Sequence, residues 1–567
     1  MIRRSPIRSC TATGFCLALT IACNAEHEQR REAQAEHVQV AATDAETPRQ
    51  HVIDRSAYLQ RLRGFWVDAI IANWTGLPTE NMRTDEPFFT DDDWQTRPRL
   101  DEAVLDYVLT QSPWLADDDT DIEYVYQHAM EQYDTHLLTG EQISAEWQDH
   151  IRLPEIWVSN LAALGQMQNG AVPPATSLPE NNPMWDMIDA QLTTEIFGAF
   201  APTRPDVALK MAHLPIRTTA YLHSEWAAEF YVIMHALVSV VDENLSRKDQ
   251  ILWLAEQARQ RVPEWSYIAD MYDFVKAEYL GNPDKDDWEQ TRDKVNAHYR
   301  KSVTAGYMYR YSWDAGINFA SSMVSLFYGE GDYRKTIRIG TLAGWDSDNP
   351  TATWGGLLGL LYGYAGLEAH FGKSDFADEY YIERTRSNMP IPTDSITAMS
   401  ERGVSVIDKV VVDGMGGSID GNDWVIPFAG AITKAVVAET SVRWRTIEDS
   451  DPRWDYDGFT SQPRHWNASG TTLAVGQSNC TAQMSFTGTA VQYYAYRSPT
   501  SGSVRISLDG IEQGDFDLKT DRDPEGQYYV KVFEAMNLED TEHTLRIACD
   551  STETQKTIDM LSVIGQN

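Results

Sequence analysis

The chain reads GWDSDNPTATWGGLLGLL over residues 344–361. Its second half mixes glycines into an apolar, helix-like run from Trp354 to Leu361. A glycine inside a helix costs about 1 kcal/mol relative to alanine, so the run predicts a helix whose glycines permit the close approach of another helix. In the first half, Asp346 and Asp348 stand two residues apart, and a tight turn there can aim both carboxylates toward one point. We therefore expect an acidic turn that leads directly into a buried helix.

Two earlier segments offer further oxygen ligands, GLPTE over residues 76–80 and TDDD over residues 90–93. Carboxylates that are packed together repel one another, and clusters of Asp, Glu, Thr and Asn oxygens suit hard cations such as Mg²⁺. If the two aspartate turns face each other, they can hold two cations and polarise a substrate hydroxyl or a bridging water. The alternative is that Asp and Thr before a helix are N-caps, which stabilise it by about 1 kcal/mol without a metal. Glu80 alone is then a solvated surface carboxylate.

The hydrophobic pattern over residues 53–440 is helical. Apolar side chains recur at helical spacing between Leu100 and Val108, and residues 227–241 are apolar nearly all round, as in a helix buried inside a bundle. A chain of 567 residues exceeds what one hydrophobic core usually supports, so a second folded unit is expected. The sequence predicts an all-α domain over residues 53–440.

The pattern changes to short alternating runs over residues 447–567. Val504, Ile506 and Leu508 alternate with polar residues, and Asp509-Gly510 supplies a turn. Several such runs at regular spacing predict a small all-β sandwich after the helical domain. The sequence FTGTAV over residues 486–491, followed by this run, resembles galactose-binding-like modules that are attached to secreted glycosidases, and the resemblance implies carbohydrate binding.

Composition and charge exclude several classes of function. Hydrophobic content of 42% and aromatic content of 11% are those of a globular protein. A formal net charge of −37 would repel the phosphates of nucleic acid, so no nucleic-acid partner is expected. The chain contains no HExxH, GxSxG or P-loop motif, which leaves no basis for a metalloprotease, a serine esterase or a nucleoside triphosphatase.

The N-terminus predicts export. Three arginines precede a short apolar run over residues 14–22, which is too short to span a bilayer and fits a signal over residues 1–23. A small residue before Cys23 resembles a bacterial lipoprotein signal, which would place a lipid anchor on that cysteine; an ordinary cleaved signal is the alternative. Residues 24–52 are polar and aperiodic, as in a linker. We expect a periplasmic or cell-surface protein with no transmembrane helix in the mature chain.

Cysteine usage agrees with export. Of the five cysteines, Cys480 and Cys549 are the two that lie beyond the predicted signal. Two cysteines within one small unit favour a single disulfide in an oxidising compartment, and two buried thiols are the alternative.

The acidic motifs, taken in their order along the chain, resemble those of the ADP-ribosylglycohydrolase family. The family's segment that ends in Gly-x-Pro-x-Glu is matched by residues 64–80, its Thr-Asp-Asp motif by residues 90–92, and its late Gly-x-Asp-Thr-Asp motif by residues 344–348. The resemblance covers residues 55–430. It implies an all-helical fold with a dinuclear magnesium centre, which cleaves the glycosidic bond from ADP-ribose to a protein side chain or a related group.

Carried over position by position, the resemblance also implies roles for individual residues. Glu80 and Asp92 become catalytic residues, and Glu80 is the carboxylate that approaches the metals or the attacking water. Asn349 stands where the family usually has a threonine ligand. The implied cofactor is two Mg²⁺ ions, with Mn²⁺ as the alternative, and the implied metal ligands are Thr90, Asp91, Asp92, Asp346, Asp348 and Asn349.

Departures from the family pattern leave the leaving group open. Asn73 replaces an Asp, Asp93 replaces a Thr, and no glycine-rich diphosphate loop is evident. The sequence predicts a metal-dependent hydrolase of a glycosidic bond in a small molecule or glycan. One alternative is an exported glycosidase that acts on a plain glycan or furanoside. The other is a non-catalytic surface protein that binds carbohydrate.

Overall fold

The computed structural model describes residues 49–94, 105–179, 181–301, 307, 309–435, 444–463, 472–520, 527–552 and 554–564. The predicted signal with Cys23, and all of the predicted linker before residue 49, lie outside these residues.

Fifteen α-helices are present in the described residues up to position 435. They are α1 (Arg55–Gly76), α2 (Leu105–Val108), α3 (Asp118–Gln132), α4 (Gly140–His150), α5 (Val158–Gln168), α6 (Ile196–Ala199), α7 (Pro205–Thr219), α8 (His223–Leu237), α9 (Arg247–Arg259), α10 (Tyr267–Gly281), α11 (Glu289–Val295), α12 (Ala315–Gly329), α13 (Tyr333–Leu342), α14 (Asp348–Phe371) and α15 (Ile396–Lys409). Short 3₁₀ turns include Leu77–Thr79, Asp91–Asp93, Leu153–Glu155, Ala175–Ser177, Asp189–Gln191, Val238–Val240 and Ile382–Arg384, and π turns cover Asn296–Arg300 and Val410–Gly414.

Helices α1 and α14 form the centre of this region. Gly64 and Gly359 lie against each other's backbone, and a Cβ atom built on either glycine would collide with the carbonyl oxygen of the other. The glycines in the run 354–361 thus permit the close helix approach that the sequence predicts. α14 has a break at Gly363, where φ is +66°. The two helices therefore place their ends at fixed positions relative to each other, with the C-terminus of α1 beside the N-terminus of α14.

Two small sheets accompany the helices. Strand β1 (Gln50–Asp54) belongs to a three-stranded sheet with the hairpin strands that follow α15, in the order β1-β5-β4. A two-stranded sheet pairs β2 with β3. Their bounds are β2 (Glu379–Tyr381), β3 (Thr393–Ser395), β4 (Ser418–Asp420) and β5 (Asp423–Pro427).

The C-terminal region is a sandwich of two antiparallel sheets. One sheet has the order β11-β10-β13-β8-β14, with β7 also paired to β8, and the other has the order β12-β9-β15-β6. Their bounds are β6 (Trp444–Glu448), β7 (Asp455–Pro463), β8 (Thr472–Gly488), β9 (Ala490–Arg497), β10 (Ser503–Leu508), β11 (Ile511–Asp517), β12 (Gln527–Ala535), β13 (Thr541–Cys549), β14 (Lys556–Ile558) and β15 (Met560–Ile564).

The sandwich has a hydrophobic core of its own. Val504, Ile506 and Leu508, the alternating residues noted in the sequence, are buried in it. Cys480 on β8 and Cys549 on β13 form a disulfide with their Cα atoms 5.0 Å apart, which decides between the two alternatives left by the sequence. The predicted fold class, a helical domain followed by a small all-β sandwich, is confirmed. None of the helices that the structure describes has the length and hydropathy needed to cross a bilayer.

Candidate active site

Eight acidic side chains line one cavity of about 240 Å³ in the helical region, and six of them are closely grouped. They form two triads, and the ligand atoms within each triad lie within 4.8 Å of one another. The first triad is Glu80, Asp346 and Asp348, and the second is Asp117, Asp118 and Asp119.

The first triad forms because the end of α1 packs directly on the turn before α14. Gly76 makes this possible, since a Cβ atom there would lie 2.6 Å from the Asp348 Cα atom. The Thr79 hydroxyl lies 2.8 Å from the Ser347 hydroxyl and donates to the Thr341 carbonyl at 2.7 Å, and the Ser347 hydroxyl donates to the Gly76 carbonyl at 3.0 Å. These contacts hold Glu80 beside the Asp-Ser-Asp turn.

Backbone contacts fix the orientation of that turn. Trp345 has a φ of +56°, in the left-handed region, which turns the chain sharply before Asp346. The Trp345 carbonyl accepts from the Asn81 N–H at 2.8 Å. The Asp346 N–H donates to the Asn318 side-chain oxygen at 3.1 Å, while the Asn318 amide donates to the Ser312 carbonyl at 2.8 Å. The acidic turn is therefore supported from α12 as well as from α1.

The second triad lies at the start of α3. Asp118 and Asp119 are the first two residues of that helix, where the positive end of the helix dipole favours negative charge. Asn73 on α1 holds Asp117 through two hydrogen bonds: its amide donates to the Asp117 carboxylate at 2.8 Å, and its oxygen accepts from the Asp117 N–H at 3.0 Å. Asn73, a departure from the family pattern, thus positions the second triad.

Burial and mutual repulsion disfavour the ionised forms of these acids. Burial, together with the charges of neighbouring carboxylates, holds the pKa values of Asp118, Asp119, Asp346 and Asp348 well above the usual range. Burial and the nearby Asp117 raise the pKa of Glu80 to about 7. Buried carboxylates that lie this close together need a nearby positive charge in order to be ionised.

The residues present fit divalent cations. One carboxylate oxygen of Asp119 and one of Asp348 are buried with no hydrogen-bond partner among the described residues. Of the described side chains that line the cavity, Arg384 is the one permanent cation. Hard cations of the Mg²⁺ class prefer all-oxygen ligands, and the two triads supply these from both sides of one space.

Further side chains complete the cavity wall. Trp157 lines it while keeping 55% of its surface exposed, and Trp313 lines it beside Glu80. Asp189 also lines the cavity; it accepts from the Ser159 hydroxyl and, at 3.2 Å, from the Ser159 N–H. The site therefore combines an acidic interior with an aromatic surface open to solvent.

Of the residues assigned to the site from the sequence, the structure places Glu80, Asp346 and Asp348 in the cavity. Asn349 is buried, and neither polar atom of its amide has a hydrogen-bond partner among the described residues, but it is not among the side chains that line the cavity.

The structure places Thr90, Asp91 and Asp92 elsewhere, since none of them lines the cavity. Asp91 is paired with Arg338 at 3.2 Å and accepts from the Trp288 indole at 3.1 Å. Thr90 is exposed, and both its N–H and its hydroxyl donate to the Asp93 carboxylate. The turn at 90–93 is thus a local capping arrangement, and the expectation that it faces the turn at 346–348 is corrected.

The place expected for residues 90–92 is taken by Asp117, Asp118 and Asp119, which were not predicted from the sequence. The available signal was the run DDDTD over residues 117–121, which directly precedes a helical pattern. Trp157, Asp189 and Trp313 were missed as well, since single residues between helices have no spacing that marks them.

Comparisons with known proteins show which family the chain belongs to. The profile of the ADP-ribosylglycohydrolase family matches residues 54–388. A curated relative, the "A type blood alpha-D-galactosamine galactosaminidase" of Flavonifractor plautii, is 30% identical over 109 residues, which are 19% of this chain and 10% of the relative. The chain thus spans about a tenth of the length of that relative.

Two solved structures are similar to parts of the chain. An "ADP-ribosylglycohydrolase-related protein complex" covers 62% of this chain and 99% of its own, with 12% identity and a TM-score of 0.37. A family 35 carbohydrate binding module from Clostridium thermocellum covers 22% of this chain and 100% of its own, with 12% identity and a TM-score of 0.19. Because the family profile matches more than half of the sequence, the chain belongs to the ADP-ribosylglycohydrolase family.

Proposed function

We infer that this protein is a metal-dependent hydrolase of a glycosidic bond, with a centre for two divalent cations between its two carboxylate triads. The observation that supports this most is the convergence of Glu80, Asp346 and Asp348 with Asp117, Asp118 and Asp119 on one cavity. A structural role would not favour six carboxylates in so small a space, because each buried charge without a partner destabilises the fold. Family membership supports the same class of reaction.

Five aspartates would hold the cations: Asp117, Asp118, Asp119, Asp346 and Asp348. When bound, Mg²⁺ or Mn²⁺ supplies positive charge that orients sugar hydroxyls and makes a nearby water more acidic. Glu80 lies at the edge of the first triad, and the Asn81 amide donates to it at 2.9 Å. That position suits Glu80 to accept the proton of the water that attacks the anomeric carbon.

The small volume of the cavity favours a single terminal sugar unit. At about 240 Å³ it lies near the lower limit of ligand pockets, which begin at roughly 300 Å³. Trp157 at its exposed side can stack on a sugar ring or a base. We propose that one sugar occupies the cavity while the group to which it is linked extends past Trp157.

The test of the metal centre compares two aspartate variants. Asp119→Asn should lower Mg²⁺ affinity on the order of a hundredfold, and turnover should fall with it, because an amide replaces a buried charged ligand. The matched control Asp92→Asn, in the turn that the structure places outside the cavity, should bind Mg²⁺ as the unmodified protein does. Calorimetric titration measures the affinity, and circular dichroism checks the helical fold. Loss of Mg²⁺ in Asp92→Asn but not in Asp119→Asn would overturn the assignment.

The substrate could be an ADP-ribosyl group or a plain glycan. The curated relative is named as a galactosaminidase, and this supports the plain glycan as the second candidate. Assay of the purified protein on ADP-ribosylated peptide, aryl glycosides and polysaccharides, each with and without Mg²⁺, separates the two. Sugar binding without turnover of any of them would favour the non-catalytic alternative.

We also propose that the protein is exported and carries a lipid on Cys23. The basic and apolar pattern of residues 1–23 supports export, and the disulfide between Cys480 and Cys549 suits an oxidising compartment. Cell fractionation of the unmodified protein and of Cys23→Ser tests this. We expect the variant to lose its association with the membrane fraction, and an unchanged distribution would contradict the lipid anchor.

A further inference from the structure

A second cluster of metal-ligating side chains lies apart from the acidic cavity. His128 on α3 meets Glu146 and His150 on α4, and their ligand atoms all lie within 4.8 Å of one another. Glu146 and His150 are four residues apart and so share one face of their helix. None of the three lines the acidic cavity. Sequence spacing does not reveal this cluster, because one of its members lies on a different helix.

The chemistry of this cluster differs from that of the acidic triads. Two imidazoles and one carboxylate are a ligand set for Zn²⁺ and similar transition metals, whereas Mg²⁺ prefers oxygen alone. The His150 Nε2 atom lies 3.2 Å from one Glu146 oxygen, Oε2, and the His128 Nε2 atom lies 3.9 Å from the same oxygen. Two ligands of one tetrahedral Zn²⁺, each bonded at about 2.0–2.1 Å, are about 3.3 Å apart. The pair Glu146 and His150 therefore already has the separation of two ligands on one ion.

Hydrogen bonds to the outer atoms of this cluster leave its inner atoms facing one another. The His150 Nδ1 atom lies 2.9 Å from the Ser387 carbonyl, which can only accept, so Nδ1 carries the proton and Nε2 faces Glu146. The Gln132 amide donates to the other Glu146 oxygen at 2.9 Å. Oε2 itself faces the two imidazoles, with His150 Nε2 at 3.2 Å, and the Glu146 and His150 side chains are only 5% and 4% exposed. A cation at this point would satisfy both the imidazole and the carboxylate.

We propose that His128, Glu146 and His150 bind a transition-metal ion of the Zn²⁺ class. The hydrogen bond from His150 to Ser387 is the type of outer contact that fixes the tautomer and ring orientation of a metal-binding histidine. The site stands on its own geometry and does not depend on the proposed glycosidase function. The competing occupant is a proton on His150: burial lowers the pKa of this histidine, but the contacts with Glu146 and Ser387 outweigh that effect and raise it.

The location of this site suggests that a bound ion would help to position the wall of the acidic cavity. Helix α3 begins with Asp118 and Asp119 and also carries His128. The Ser387 N–H donates to the His150 carbonyl at 3.0 Å, which ties the end of α4 to the segment just after Arg384 and Thr385 in the cavity wall. An ion bound to His128, Glu146 and His150 would join α3 to α4 and so hold this wall in place.

Co²⁺ is the probe for this site, because its visible absorption bands report nitrogen ligands and low coordination. The full-length protein, with excess Mg²⁺ to occupy the acidic cavity, should bind one equivalent of Co²⁺ with such bands, and added Zn²⁺ should abolish them. His128→Ala and Glu146→Gln should each lose the bands. His213→Ala is the matched control, since His213 also lies 3.9 Å from a glutamate, Glu225, but belongs to no group of three ligating side chains among the described residues; it should bind as the unmodified protein does. Asp119→Asn should retain the bands even though its Mg²⁺ centre is damaged.

The unmodified protein provides a second measurement that does not depend on whether the variants fold. Added Zn²⁺ should raise its midpoint of thermal unfolding by several degrees in excess Mg²⁺, and a chelator selective for Zn²⁺ should reverse the increase. Failure of Co²⁺ to bind with visible bands would overturn the proposal and would indicate the proton as occupant. Bands that persist unchanged in folded His128→Ala and Glu146→Gln would overturn it as well. Neither result would affect the Mg²⁺ test of the acidic cavity.

Discussion

At the scale of single residues, the charge of each neighbour decides what a carboxylate can do. Asp91 is neutralised by Arg338, and so it is satisfied without a metal. Asp119 lies among other carboxylates, and burial with their charges raises its pKa far above the usual range. The two aspartates have similar sequence surroundings but opposite electrostatic environments. The effect of a substitution at either position therefore depends on the neighbouring charges and not on the aspartate alone.

Trp157 should contribute to substrate binding more than to the chemical step. Its side chain is 55% exposed at the cavity, so removing it deletes a stacking surface and leaves the acidic interior unchanged. We expect Trp157→Ala to raise KM about three- to tenfold, the equivalent of 0.5–1.5 kcal/mol, with kcat nearly unchanged. Trp157→Phe should retain most of the affinity. Steady-state kinetics on the substrate found in the glycoside panel measure both, and a loss confined to kcat would contradict the stacking role.

Glu195 should make the stability of the helical region depend on pH. Burial raises its pKa to about 7, and Glu123 lies beside it. Because this pKa is above that of an unfolded glutamate, the stabilisation is complete below the unfolded value and is lost as pH rises through about 7. Between pH 5 and pH 8, the free energy of unfolding should therefore fall less in Glu195→Gln than in the unmodified protein. The difference between the two decreases should be on the order of 2 kcal/mol. Urea unfolding in excess Mg²⁺ measures this, and Glu243→Gln, at a highly exposed position, should leave the pH dependence unchanged.

At the scale of elements, the contact between α1 and α14 sets the geometry of the site. The backbones meet at Gly64 and Gly359, and the same two helices carry the segments that hold Glu80 and Asp348. A change in their separation would be transmitted directly to the first carboxylate triad. The glycines thus serve the site through packing, without any contact with substrate.

Gly359→Ala should destabilise the protein, because the added Cβ atom collides with the Gly64 backbone. We expect a loss of about 1–3 kcal/mol in the free energy of unfolding, as for other overpacked interiors. Gly165→Ala on α5 is the matched control, since a Cβ atom there meets nothing within 4 Å. It should be neutral or stabilising by up to about 1 kcal/mol, the difference in helix propensity. Denaturant unfolding compares the two, and equal effects would contradict the packing argument.

At the scale of the whole molecule, the residues that the structure describes form two hydrophobic cores, one in the helical region and one in the sandwich. The disulfide between Cys480 and Cys549 links two strands of the same sheet, β8 and β13, and encloses a sequence separation of 69 residues. Each core therefore has its own source of stability. The disulfide belongs to the sandwich alone.

Replacing both cysteines with alanine should destabilise the sandwich by about 2–4 kcal/mol and leave the Mg²⁺ affinity of the acidic cavity unchanged. The physical reason is that the disulfide restricts the unfolded state of the C-terminal region only. Calorimetry should show the transition of the sandwich at a lower temperature than in the unmodified protein. A parallel loss of Mg²⁺ binding would show that the two regions depend on each other.

Several features followed from the sequence by itself. Helical periodicity and strand alternation gave the two-region fold, since both patterns are local and repeat over many residues. The glycine run at 354–361 predicted a close helix contact, because glycine in a buried helix needs such a compensation. Two cysteines in one small unit favoured a disulfide. The resemblance to a known family pointed to Glu80, Asp346 and Asp348.

Tertiary structure alone decided which other acidic residues lie in the cavity with Glu80, Asp346 and Asp348. TDDD at 90–93 and DDDTD at 117–121 look alike locally, since both are acidic runs at the start of a helical turn. They differ in their distant neighbours: Arg338 neutralises Asp91, whereas Asn73 holds Asp117 beside further carboxylates. The cluster of His128, Glu146 and His150 likewise exists only because α3 packs beside α4. Side-chain charge is a property of the sequence, but the field that acts on it comes from residues that folding brings near, and local spacing does not encode that field.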